Sequence, residues 1–199
     1  RSTLFPYTTL FRSHYFLSGI TKRSLNVFYY ACSYAKVDYS NFMNITARTA
    51  LKLIPDPLKT HPVFLCVDDT MVSKSGKKFE NVSKLFNHAA HNGSNYLNGH
   101  CFVSIMLCVP VLDHDKISYL SVPLGYGYRM WQKKESKLEL AASMIRQVMP
   151  EFLSKEHVII LCDSWYTKKN LVSIIDEYPN LDLIGNARID SVKIGRAHV

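Results

Sequence analysis

VFLCVDDTMVSKSGKK, residues 63–78, sets an apolar run against two carboxylates, Asp68 and Asp69, and then a glycine-centred basic turn with Lys74, Lys77 and Lys78. A short apolar run closed by turn signals predicts a buried strand over Val63–Val67. Packing does not explain acids at the exit of such a strand, because a buried carboxylate needs a partner or a metal. A second run of this kind, HVIILC at His157–Cys162, leads into Asp163. If the two strands are parallel neighbours, their C-terminal ends set Asp69 and Asp163 at one sheet edge, where ligands of α/β folds gather. Two carboxylates held close keep their charge only with a cation, and Mg²⁺ or Mn²⁺ suits oxygen ligands. Such a site would activate a hydroxyl and steady the leaving oxygen of a phosphodiester. The same positions also suit a helix cap and a solvated turn, and strand-end placement does not choose between them.

The flanking sequence supplies the frame. Residues 14–53 read as amphipathic helix, the second part running from about Tyr39 to Leu53 with Phe42, Ile45, Ala50 and Leu53 on one side. Pro55, Pro57 and Pro62 then break the chain, giving a helical N-terminal region, 14–58, and a strand-led region, 59–193. Residues 70–98 are polar and read as a loop or an irregular hairpin. His100–Leu112 is nearly all apolar and predicts a central strand buried on both faces. A turn at Asp113–Lys116 and a return strand at Ile117–Leu124 complete a hairpin. Lys134–Met149 predicts a helix whose apolar face is Leu138, Ala141, Ala142, Ile145 and Val148. Thr167–Glu177 predicts another, carrying Leu171, Ile174 and Ile175, and a last strand lies within 180–187. The expected class is α/β, a mixed sheet flanked by helices.

Composition narrows the partners. The 199 residues are 47% hydrophobic and 20% charged, which is globular material, and no apolar run is long enough to span a membrane. A net charge of +8 favours a polyanionic partner. Five cysteines (Cys32, Cys66, Cys101, Cys108 and Cys162) show no CxxC pairing, which favours a reducing compartment. Residues 1–13, RSTLFPYTTLFRS, and 194–199, IGRAHV, resemble translated sequencing-library adaptors and are set aside as fusion scars. Without Arg1, Arg12 and Arg196 the charge falls from +8 to +5.

Basic residues beside aromatics form a second constellation: Lys168 and Lys169 after Trp165-Tyr166, and Arg129, Lys133 and Lys134 around Trp131. Lysines next to exposed rings hold phosphates and let bases stack. The plainer alternative is solvated charge around core-rim aromatics. His88, His91, His100 and Cys101 are too loosely spaced for a structural zinc site. Cys162 lies inside an apolar run, where a thiol acts as a small hydrophobe rather than a nucleophile.

LCVDDTMVSKSGKK, NGHCFVSIML and ILCDSWYTKKNL, in that order, together resemble an IS4-like DDE transposase of a bacterial insertion sequence. The resemblance implies an RNase H-like core and a Mg²⁺- or Mn²⁺-dependent acidic triad that cuts transposon ends and joins them to target DNA. It implies Asp69 as the first triad member, with Asp68 as its fallback, and Asp163 as the second. Double-stranded DNA as partner, a homodimer on paired ends and a bacterial cytoplasmic, nucleoid-associated location are implied with it. The third acid, a Glu on a later helix within a Tyr/Arg/Lys-rich signature, has no counterpart up to Lys193, so the fragment is expected neither to cleave nor to join DNA. The alternative is a non-catalytic DNA-binding module on the same fold.

Overall fold

The computed structural model of the chain describes residues 19, 24–36, 38–75, 82–86, 95–128, 136–153 and 155–186. The two end stretches, Lys77, Lys78, His88, His91, Arg129, Trp131, Lys133 and Lys134 lie outside the described residues. The chain divides into a first unit, residues 1–38, and a second, residues 39–199. The first contains helix α1, Leu25–Tyr34.

The second unit begins with helix α2, Tyr39–Leu51. The boundary expected after residue 58 falls elsewhere, because α2 packs with the sheet. Its Met43, Ala47 and Ala50, at i, i+4 and i+7, are buried in the main core. The expected apolar side is also corrected: Ala50 is buried, but Phe42 and Ile45 in the helix and Leu53 just past it are 58%, 48% and 56% exposed. Two alanines on the buried side let the helix lie close to the strands, and bulk alone pointed to the wrong face. Arg48 fixes the helix end through a two-pronged ion pair with Glu151, at 2.9 and 3.1 Å.

Among the described residues the sheet has six strands: β1 Val63–Ser73, β2 Ser83–Phe86, β3 Tyr96–Asp113, β4 Lys116–Tyr128, β5 Val158–Cys162 and β6 Leu181–Gly185. Antiparallel β3 lies beside β1, and β4 and β2 pair with β3 in turn. On the other side β1 pairs in parallel with β5, and β5 with β6. The resulting order, β4-β3-β1-β5-β6, is a mixed α/β sheet compatible with an RNase H-like core. β2 realises the hairpin alternative for the polar stretch. The tight β3–β4 turn places His114 and Asp115 at φ of 47° and 61°, the left-handed region a two-residue hairpin requires.

Between β4 and β5 comes helix α3, Lys137–Val148, with Ala141, Ala142, Ile145 and Val148 buried as expected. Between β5 and β6, helix α4, Lys169–Val172, tightens into a 3₁₀ turn over Ser173–Glu177. The core lies between α2, α3 and one sheet face: Val63, Leu65 and Val67 of β1, Val103, Ile105, Leu107 and Val109 of β3, Val158 and Ile160 of β5. β3 is not buried on both faces; its residues alternate, and Met106 on the second face is 40% exposed.

One correction bears directly on the site. β1 does not end at Val67 but continues to Ser73, held by β3 through the pairs from Asp68↔Ser104 to Ser73↔Gly99. Only β5 stops there, at Val67↔Cys162. Asp68 and Asp69 are therefore mid-strand residues beside the point where β5 leaves the sheet.

Candidate functional site

Side chains alternate along a strand, so Asp69 continues the inward row of Val63, Leu65 and Val67, while Asp68 faces the other way. An inward carboxylate needs compensation, and α3 provides it. Ser136 caps this helix: its hydroxyl accepts from the Glu139 N–H at 3.2 Å, and the Glu139 carboxylate accepts from the Ser136 N–H at 2.8 Å. This reciprocal box holds the Glu139 carboxyl below its ordinary range, the Ser136 N–H being the main cause. It also fixes Lys137 at the first helical position. An ammonium there meets the positive end of the helix dipole, so its placement needs another reason. That reason is Asp69: Lys137 Nζ lies 2.8 and 2.9 Å from the two carboxylate oxygens, with both side chains largely buried.

A third group closes the cluster. Asp163, exposed at the end of β5, accepts the Trp165 N–H on its own Oδ1 at 3.0 Å, and its carbonyl accepts the Tyr166 N–H at 3.1 Å. The resulting turn sends Tyr166 inward, where it is fully buried and donates its hydroxyl to Asp69 Oδ1 at 3.1 Å. Burial first, then the Asp69 charge, raises the Tyr166 phenol far above its usual range. Cys101 Sγ lies 3.7 Å from Asp69 Oδ2. Trp165 stays at the surface, with Lys168 Nζ 3.7 Å and Lys137 Nζ 5.1 Å from its ring centroid, both within cation–π range.

The structure thus gathers Asp69, Trp165, Tyr166 and Lys168, with Asp163 at the root of their turn. Tyr166 is not a stacking residue, because a fully buried ring presents no face to a base. Lys74 follows the end of β1, about 16 Å from Asp69 at the usual strand rise, so it stands apart from the cluster. Lys169 opens α4 and is exposed. Asp68 is exposed and accepts the Asp69 N–H at 2.8 Å. His100 sits within β3 against the Phe102 ring. Burial foremost, with Asp163 nearby, pushes the Cys162 thiol up to about 11, which fits the hydrophobe and not the nucleophile. Lys137 is the residue the sequence reading missed. Its signal was Ser136-x-x-Glu139, a capping box that sets a lysine where a helix disfavours one.

A divalent cation does not fit these residues as they stand. Both oxygens of Asp69 are taken by an ammonium, and one of them also by a phenol. Among the described residues, no three His, Cys, Asp or Glu side chains come together to hold an ion.

No protein-family model matches the chain, and no curated protein matches it. A solved structure that does match is the cryo-EM structure of a piggyBac transposase synaptic complex with hairpin DNA, at 15% identity and a TM-score of 0.42. The match covers 66% of this chain and 24% of that one, so the matched part spans about a quarter of that protein's length. No described helix is long and apolar enough to cross a membrane.

Proposed function

We propose that this chain is part of a DNA transposase of the insertion-sequence DDE type, built on an RNase H-like core. The observation that carries the reading is Asp69 on β1 beside the turn that Asp163 opens at the end of the adjoining parallel strand β5. The sequence resemblance assigns the catalytic acids to these two positions. Lys168 and Trp165 project from the same turn, a cation on an exposed ring suited to one phosphate and one unstacked base. Asp69 and Asp163 are the proposed catalytic acids and Mg²⁺ or Mn²⁺ the proposed cofactor of the complete enzyme. DNA ends, paired by a homodimer, are its substrate.

A second reading, a DNA-binding module without cleavage, is favoured by the Lys137 ammonium on Asp69. Incubating the chain with duplex DNA and Mn²⁺ separates the two readings. Strand cleavage that is lost in Asp163→Ala supports the enzyme, and binding without cleavage supports the module. DNA binding that is indifferent to Lys168→Ala and Trp165→Ala would overturn the assignment of this edge to DNA.

A further inference from the structure

We infer that Lys137 is a built-in counter-ion that closes Asp69 to divalent cations, so that metal can reach this carboxylate only once the lysine has left it. The inference concerns the pair itself and holds whether or not the chain engages DNA.

Three observations carry it. The contact is two-pronged: Nζ reaches both carboxylate oxygens, at 2.8 and 2.9 Å, and so occupies the side a bidentate cation would use. The pair is sheltered, with side-chain exposures of 15% and 12%, so water does little to weaken its attraction. Lys137 is also placed by the helix cap rather than drifting on a surface. The Ser136–Glu139 box fixes its backbone at the first turn of α3, and Trp165 lies 5.1 Å from its ammonium. The fourth participant, Tyr166, donates to Asp69 Oδ1 from a fully buried ring and steadies the carboxylate in the same pose. A cation arriving at Asp69 would have to displace an ammonium already held at hydrogen-bond distance. The displaced lysine would keep its charge beside the new ion, and like charges at short range repel. Two side chains thus put Asp69 in a metal-excluding state, and any metal-binding state requires α3 or the Lys137 side chain to move.

Metal binding by the full chain tests this, with Mn²⁺ and Tb³⁺ as probes. Trp165 borders the pair, so Tb³⁺ bound at Asp69 would show tryptophan-sensitised luminescence. The wild-type chain is expected to give little sensitised signal. Lys137→Met should bind Mn²⁺ and Tb³⁺ at least about tenfold more tightly, because it leaves an uncompensated carboxylate. The gain should disappear in Asp69→Asn/Lys137→Met. Equal binding by wild type and Lys137→Met, or a gain that survives the added Asp69→Asn, overturns the inference. Should Lys137→Met fail to fold, thermal melts of the wild type and the double variant decide the matter. A ligand of the folded state raises Tm by mass action. Equal, small shifts with Mn²⁺ support the inference; a shift confined to the wild type overturns it.

Discussion

Removing either charge of the Asp69–Lys137 pair leaves the other sheltered from water with no opposite charge, which costs more than the pair itself contributes. Asp69→Asn and Lys137→Met are each expected to lower stability by about 3 kcal/mol, while the double substitution recovers more than half of that loss. Urea unfolding of the three variants measures the coupling, and simple additivity would mean that the two side chains do not meet in solution. Protonation gives an independent check on burial along β1 and β5 and at Tyr166. Burial, with Cys108 the next cause, pushes the Cys66 thiol from 9.0 up to about 11, and Cys162 rises to the same value. The Tyr166 phenol rises in the same direction. In each case the folded chain keeps a proton that the unfolded chain releases, so their stabilisation is complete below about pH 9 and is lost as pH climbs through about 11 and beyond. The urea midpoint should therefore fall across this alkaline window. Tyr166→Phe should leave nearly unchanged the phenolate absorbance that develops before unfolding, because burial and then the Asp69 charge raise the Tyr166 phenol far above its usual range.

The elements answer to packing rather than to apolar content. Met43→Ala on the buried side of α2 should cost about 2–3 kcal/mol, whereas Phe42→Ser on the exposed side should stay within about 0.5 kcal/mol. Chemical denaturation ranks the two, and the reverse order would return the helix to the face first expected from sequence. Ser136→Ala should remove about 1 kcal/mol by breaking the cap of α3 and loosening Lys137 with it. These cases show what the sequence made legible. α3 and β5 were readable because Ala141, Ala142, Ile145 and Val148 recur at helical spacing and VIILC is a continuous apolar run. That β1 and β5 are parallel neighbours was only a condition in the sequence reading, since two acids after two apolar runs do not fix strand pairing; the register Val67↔Cys162 meets that condition. The end of β1 was misplaced because the apolar run breaks at the polar Asp68–Thr70, and pairing with β3 carries the strand on through Met71 and Val72 to Ser73. Near the end of that pairing, Gly99 lies so close to the Val72 carbonyl that a Cβ would collide with it. Lys137 was not legible as a partner of Asp69, since 68 residues separate them and only the fold brings them together.

At the scale of the whole molecule the question is whether DNA would meet this edge or merely the positive charge. A net charge of +8 attracts a polyanion over the entire surface, and such attraction weakens steeply with salt whichever lysines supply it. A specific edge is distinguished by inequality among lysines. Lys168 sits 3.7 Å over the Trp165 ring beside the Asp69 cluster, whereas Lys155 is exposed on the loop that leads into β5. If field alone governed binding, Lys168→Ala and Lys155→Ala would weaken duplex binding equally. If the edge binds DNA, Lys168→Ala should lower the slope of log affinity against log salt by about 1, with Lys155→Ala having little effect. Trp165→Ala should weaken binding to DNA with a frayed or single-stranded end by about 1–3 kcal/mol and matter less for blunt duplex, because only an unstacked base can use the ring. Fluorescence anisotropy over a salt series, with both DNA forms, reads all three variants. Equal slopes for Lys168→Ala and Lys155→Ala would assign the binding to the general field of the protein and remove the Trp165–Lys168 corner from the DNA path.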